Sequence, residues 1–103
     1  MAKWVRVCKA ADIAEGKVGY AEADGLPLAV CRQEGAFYAV DDVCTHDGGS
    51  LDQGEVQGFQ IECPRHGARF DIRTGRVTAL PAVVPIGTYP TKVEGDDVLV
   101  DVE

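Results

Sequence analysis

Apolar residues occur in this chain as short runs, and glycine, proline or paired acidic residues interrupt nearly all of them. The 103 residues include 12 glycines and 5 prolines. A helix needs an apolar period of about 3.6 residues sustained over several turns, whereas a strand needs only a few alternating residues between turn signals. The pattern therefore predicts an all-β fold, an antiparallel β sandwich or small barrel with a subdomain made of two loops.

The predicted elements leave two long loops without periodicity, at about 44–58 and 63–69. Loops longer than about 12 residues in a compact domain usually have a function. The segment Leu80–Pro85 is excluded from any central strand because its prolines cannot donate to a ladder. About eight or nine short strands are expected. A hairpin turn is predicted at 33–35, and a turn or short helical piece at 10–16. The eight assigned strands are 3–8, 17–23, 28–32, 36–40, 59–62, 70–72, 88–93 and 98–102.

Length and charge restrict the classes of function. A chain of 103 residues is near the commonest domain size, so a single domain spanning 1–103 is expected. The net charge of −7 disfavours nucleic acid and suits docking on basic protein surfaces. No apolar run reaches the roughly 20 residues of a membrane span. The N-terminal residues alternate like a strand rather than like a signal peptide, which favours a cytoplasmic protein away from membranes.

The two long loops carry matched pairs of metal-binding residues. Cys44 and His46 form the first pair, Cys63 and His66 form the second, and the chain has no other histidine. Each loop can thus offer one thiolate and one imidazole. A two-iron cluster fits such mixed loops, because each loop can place its sulfur on one iron and its nitrogen on the other. We therefore expect these four residues to be both the cofactor-binding and the metal-binding residues.

Other interpretations of the four residues stay open on spacing alone. A structural zinc site also uses two cysteines and two histidines, although zinc fingers group their ligands by type. Nucleophilic catalysis needs one activated thiol and one base, which gives no reason for the pair to occur twice. The other two cysteines, Cys8 and Cys31, lie in apolar strand patterns and are expected to be small buried hydrophobic residues.

The residues around the four ligands extend the pattern into a family resemblance. The chain resembles the Rieske ferredoxins of bacterial ring-hydroxylating oxygenase systems over nearly its whole length. The resemblance is specific at the two loops and generic at the N-terminal strands. It is carried by Cys44-Thr45-His46, Cys63-Pro64-x-His66-Gly67-Ala68-x-Phe70-Asp71, Thr74-Gly75 and Leu80-Pro81-Ala82.

The resemblance implies a Rieske-like fold with one 2Fe–2S cluster at one tip, bound by loops at about 42–82 beneath a proline-containing loop. It implies a one-electron carrier, itself no enzyme, that links an NAD(P)H-dependent flavin reductase to a terminal oxygenase in the breakdown of aromatic hydrocarbons. Partners would dock near His46, His66, Arg65 and Pro81, and a monomer is the default for a mobile carrier.

Two other classes of protein with a similar domain fit the sequence less well. Predicted strands begin and end near the two termini, which favours a separate carrier over the Rieske domain of a larger oxygenase. The small subunits of nitrite reductases have a similar domain, but many of them lack the ligands that this chain has.

Four positions differ from the respiratory branch of the family. That branch has a disulfide between the loops, and hydroxyl groups that donate to the cluster sulfurs. This chain has Gly49 and Arg65 in place of the two cysteines, and Ala68 and Phe70 in place of the hydroxyl residues. Reduction adds a negative charge, which donors aimed at sulfur would stabilise. Their absence makes reduction harder.

We predict a reduction potential at the low end of the range of roughly −150 to +300 mV that Rieske centres span. The reason is the absence of hydroxyl donors at Ala68 and Phe70. A redox titration followed through the visible spectrum measures the midpoint. A value well above about 0 mV would contradict the interpretation of these positions.

Overall fold

The structure of the chain is a computed structural model that describes residues 2–45, 48–65, 67–80, 82 and 84–103. The described residues form strands and one short 3-10 helix and include no α-helix, which confirms the all-β prediction. None of their helices has the length and apolar character that a membrane crossing requires. In chain order the elements are β1 (Trp4–Lys9), the 3-10 helix (Ala10–Asp12), β2 (Val18–Ala23), β3 (Leu26–Gln33), β4 (Ala36–Asp41), β5 (Glu55–Gln57), β6 (Gln60–Glu62), β7 (Arg69–Asp71), β8 (Val77–Ala79), β9 (Thr88–Tyr89), β10 (Thr91–Glu94) and β11 (Asp97–Asp101).

The strands of the described residues form three antiparallel sheets. The first has the order β1-β11-β10, the second β2-β3-β4-β9 and the third β5-β6-β7-β8. The loops beside the third sheet hold Cys44 and Cys63, the described member of each pair of predicted ligands. The third sheet is a separate small sheet inserted between β4 and β9, which are neighbours in the second sheet.

The second sheet is the middle layer, because its two faces enter different apolar clusters. Along β3, Leu28 and Val30 pack with the first sheet, whereas Ala29 and Cys31 pack with the third sheet and the long loops. Successive side chains of a strand point to opposite faces, so a strand covered on both sides is apolar throughout. All four of these side chains are fully buried.

Turn chemistry confirms the predicted hairpin between β3 and β4. Glu34 and Gly35 adopt φ angles of 52° and 78°, the left-handed pair that a two-residue hairpin turn requires. The short helical piece predicted within 10–16 is the 3-10 helix Ala10–Asp12, in which the Asp12 carboxylate accepts a hydrogen bond from the Lys9 N–H at 3.0 Å.

Three parts of the strand prediction are wrong. β5 and β8 were not predicted, because each has three residues and few apolar side chains. The single strand expected at 88–93 is divided at Pro90 into β9 and β10, which belong to different sheets. Proline has no N–H for a ladder, so one strand ends there and another begins.

The two cysteines outside the loops differ in burial. Cys31 is fully buried, as predicted, and this burial raises the pKa of its thiol to about 12. Cys8 is only half-buried, so the prediction of a buried residue is wrong at that position. It pairs with Val98 next to a register shift between β1 and β11, where the regular alternation of the strand is interrupted.

We predict that Gly75→Ala lowers the unfolding midpoint more than Gly35→Ala. Both glycines have φ near 80°, which strains any side chain by about 1–2 kcal/mol. A Cβ at Gly75 would also lie 2.0 Å from the Ile86 carbonyl oxygen, whereas one at Gly35 would meet nothing within 4 Å. Thermal unfolding of both variants at one heating rate measures the difference. Equal midpoints would show that the Gly75 contact is not a constraint.

Candidate metal centre

The first loop closes on the backbone of Cys44. The Cys44 N–H donates to the Gly49 carbonyl at 2.7 Å, and the Gly48 N–H donates back to the Cys44 carbonyl at 2.7 Å. Gly48 has a φ of 76°, a conformation that residues with a Cβ adopt only at a cost. The backbone therefore fixes Cys44 at the start of a tight arc that follows β4.

The second loop repeats this arrangement between β6 and β7. The Cys63 N–H donates to the Ala68 carbonyl at 2.7 Å, and the Gly67 N–H donates to the Cys63 carbonyl at 3.2 Å. Gly67 has a φ of 78°. The two loops thus use the same pair of hydrogen bonds and a left-handed glycine at the same offset from the cysteine.

The two loop cysteines lie in one apolar cluster. Cys44 is 0% exposed and Cys63 is 1% exposed, and neither forms a disulfide among the described cysteines. Two buried sulfurs on loops with the same backbone hydrogen bonds are suited to holding a metal cluster.

The other two predicted ligands, His46 and His66, lie outside the described residues, as do Pro81 and Asp47. Within the described part of the chain, no three His, Cys, Asp or Glu side chains converge on one point. Of the four predicted ligands, the structure therefore describes only Cys44 and Cys63, and the full ligand set stays a prediction.

Two of the four positions that differ from the respiratory branch belong to the same apolar cluster. Ala68 and Phe70 are both fully buried there with Cys44 and Cys63. An apolar side chain thus occupies each place where a hydroxyl donor would otherwise stand. Among the described residues, the buried side chains of this cluster are all apolar.

A covering segment, made up of the described residues Leu80, Ala82 and 84–87, contacts the first loop and contributes to the apolar cluster of the two cysteines. The Thr45 hydroxyl donates to the Val84 carbonyl at 2.5 Å, which ties the segment to the first loop. At its far end the Ile86 N–H donates to the Gly75 carbonyl at 3.0 Å. Sequence reasoning predicted that this segment is not a strand, which is confirmed for its described residues, but it did not predict the role of Thr45.

Exposed apolar side chains surround this end of the molecule. Leu80 is 76% exposed, Val84 53% and Val43 37%. Arg65, between the second pair of predicted ligands, is also exposed. A surface with several large apolar side chains is typical of a protein contact.

The arginines near the second loop are largely engaged in local ion pairs. Arg69 pairs with Glu62 at 2.8 Å, and Arg73 pairs with Asp71 at 2.9 Å. Hydrogen bonding from the Arg73 guanidinium lowers the pKa of the Asp71 carboxyl. The Asp71 carboxylate therefore binds a guanidinium only two residues further along the chain.

Two matched loops, each beginning with a buried cysteine and each carrying a histidine in the sequence, define a β domain for a metal cluster with mixed Cys/His ligands. A model of the Rieske [2Fe-2S] domain matches residues 3–90. The chain belongs to the Rieske [2Fe-2S] domain family.

Individual relatives match nearly the whole of the chain. The ferredoxin component of biphenyl 2,3-dioxygenase from Rhodococcus jostii RHA1 is 42% identical over 95% of this chain and 92% of its own length. The ferredoxin of carbazole 1,9a-dioxygenase from Nocardioides aromaticivorans IC177 has a TM-score of 0.90 and 37% identity, and the match covers 95% and 96% of the two chains. A ferredoxin solved in a complex with the oxygenase of carbazole 1,9a-dioxygenase has a TM-score of 0.89 and 40% identity, covering 97% and 94%.

These findings decide between the interpretations that spacing left open. The cofactor is a Rieske-type 2Fe–2S cluster and not a zinc ion. The chain is an electron-transfer protein and not itself an enzyme. The predicted resemblance and cofactor are thus confirmed.

Proposed function

We propose that this chain carries single electrons from an NAD(P)H-dependent flavin reductase to a terminal oxygenase, within a system that breaks down aromatic compounds. The observation that supports this most is the pair of equivalent loops around the buried Cys44 and Cys63. Relatives that match nearly the whole chain are named as ferredoxin components of dioxygenase systems.

In this proposal the cluster is held by Cys44 and Cys63 through sulfur and by His46 and His66 through nitrogen. When bound, it supplies reversible one-electron chemistry. The domain is the whole of 1–103, with the cluster-binding loops at about 42–82. The closed loop backbones keep the sulfur positions fixed, so little reorganisation accompanies the change of charge.

The apolar shell accounts for a low potential. Ala68 and Phe70 offer no hydroxyl and are fully buried in the apolar cluster that contains Cys44 and Cys63. Reduction adds a negative charge that such a shell solvates poorly. The electron is then released readily to an acceptor that activates oxygen.

Both partners are proposed to dock at the tip formed by the two loops and the covering segment. The exposed apolar side chains there suit a small and short-lived contact. The net charge of −7 suits basic partner surfaces and speeds their encounter. The docking surface is assigned to the vicinity of His46, Arg65, His66 and Pro81.

We also propose an oligomeric state and a cellular location for the carrier. A monomer working in the cytoplasm, without contact with membrane or nucleic acid, fits an acidic chain of this size. A carrier that visits two proteins in turn has to diffuse between them.

We predict that Cys44→Ala and Cys63→Ala abolish cluster binding and that Cys8→Ala does not. The first two remove a proposed ligand, whereas Cys8 lies on β1 outside the loops. Iron and sulfide content, with low-temperature electron paramagnetic resonance of the reduced protein, measures the outcome. The mixed ligation should give a lower average g-value than a cluster bound by four cysteines. A full cluster in either loop variant would disprove the assignment of that ligand.

The docking surface is tested by Leu80→Ser, with Val93→Ser as the matched control. Both side chains are exposed apolar residues, at 76% and 48%, and neither substitution changes the charge. Loss of one interface anchor worth about 1 kcal/mol should slow reduction of a terminal oxygenase about fivefold for Leu80→Ser only. Stopped-flow mixing of the reduced carrier with an oxygenase measures this rate. Equal rates for the two variants would place the docking surface elsewhere, and no reduction by the wild-type chain would contradict the proposed acceptor.

A further inference from the structure

One carboxylate joins the end of β4 to the end of the covering segment. Asp41, three positions before Cys44, accepts the Gly87 N–H through Oδ2 at 3.0 Å and the Tyr89 hydroxyl through Oδ1 at 2.5 Å. The Asp41 N–H also donates to the Gly87 carbonyl at 3.0 Å. Both carboxylate oxygens are therefore used, and the two partners lie on one short stretch of chain.

The fit of this carboxylate depends on the glycine. A Cβ on Gly87 would lie 2.6 Å from Asp41 Oδ2, closer than two such atoms can approach. Burial and the hydrogen bond to Asp41 raise the pKa of the Tyr89 hydroxyl to about 12, so the hydroxyl remains a donor at neutral pH. The Gly87 backbone and the Tyr89 hydroxyl thus hold the Asp41 carboxylate in one position.

The covering segment that this contact fastens is part of the environment of the cysteines. Ala82 is fully buried in the apolar cluster that contains Cys44 and Cys63. Val84 receives the Thr45 hydroxyl beside the first loop. If the far end of the segment were loose, Ala82 could withdraw and water could reach the sulfur side of the site.

We propose that Asp41 is a positioning residue that holds the covering segment closed over the two cysteines and thereby limits the access of water to the cluster. The inference rests on the proposed ligation by Cys44 and Cys63, but it involves neither partner protein. Because water stabilises the additional negative charge of the reduced form, opening the segment should raise the reduction potential.

The test compares Asp41→Ala with Asp41→Asn. Both substitutions remove the same negative charge, so charge alone would shift the potential equally. Only Asn keeps two polar atoms, since its amide oxygen can accept the Gly87 N–H while its nitrogen donates to the Tyr89 oxygen. We expect the potential of the cluster-loaded Asp41→Ala protein to lie above that of Asp41→Asn.

Hydrogen–deuterium exchange of the same proteins supplies an independent measurement. Mass spectrometry of peptides spanning 80–90 should show about tenfold faster exchange in Asp41→Ala, the change expected for one lost hydrogen bond to a charged group. Asp41→Asn should stay close to the wild type. Equal potentials and equal exchange in the two variants would overturn the positioning role.

Tyr89→Phe provides a milder, uncharged variant, with Tyr20→Phe as its control. Each tyrosine donates to a carboxylate, but Tyr20 is 54% exposed and its hydroxyl contacts Glu22 on its own strand, β2. Tyr89→Phe should speed exchange of the covering segment and raise the potential, and Tyr20→Phe should change neither. An unchanged Tyr89→Phe protein would overturn the proposal even if Asp41→Ala failed to fold. Failure of the wild-type protein to bind a cluster would instead count against the proposed ligands.

Discussion

Burial of the second sheet on both faces is the constraint on which the rest of the structure depends. Leu28 and Val30 hold the first sheet against one face, while Ala29 and Cys31 hold the cluster-binding part against the other. Hydrophobic burial contributes about 25 cal/mol per Å² of apolar surface, so a strand buried on both faces stabilises two layers at once. The regular second sheet lies beneath the two loops and supports their irregular backbone.

The same burial supports the proposed ligation of a metal by the two loop cysteines. Cys31 shares an apolar cluster with Cys44 and Cys63, and there burial raises the pKa of its thiol to about 12. In the proposed function, iron compensates the charge of the two loop sulfurs, which are both buried. The same apolar surroundings would then disfavour the additional negative charge of the reduced cluster. The proposed ligation and the proposed low potential therefore depend on one environment.

The sequence predicted those parts of the fold that depend on neighbours along the chain. Alternation located the long strands, and Glu34-Gly35 located a hairpin. β5 has one apolar residue among three, which is too little pattern to be recognised, and it forms because β6 pairs with it. At the site, residue type and spacing suggested the cysteines and the cluster. The contact between Asp41 and Tyr89 joins residues 48 positions apart, and only the folded pairing of β4 with β9 brings them together.

Charged and apolar surface are distributed differently over the molecule. Several ion pairs lie on the first sheet and its neighbours, including Arg6 with Asp97 and Lys92 with Glu94, and their side chains are well exposed. Such pairs contribute little to stability, about 0–1 kcal/mol each. The covering segment instead exposes Leu80 and Val84. A carrier has to leave each partner after it has passed one electron. The net charge of −7 attracts a basic partner at long range and speeds the encounter. A small apolar contact then allows rapid release.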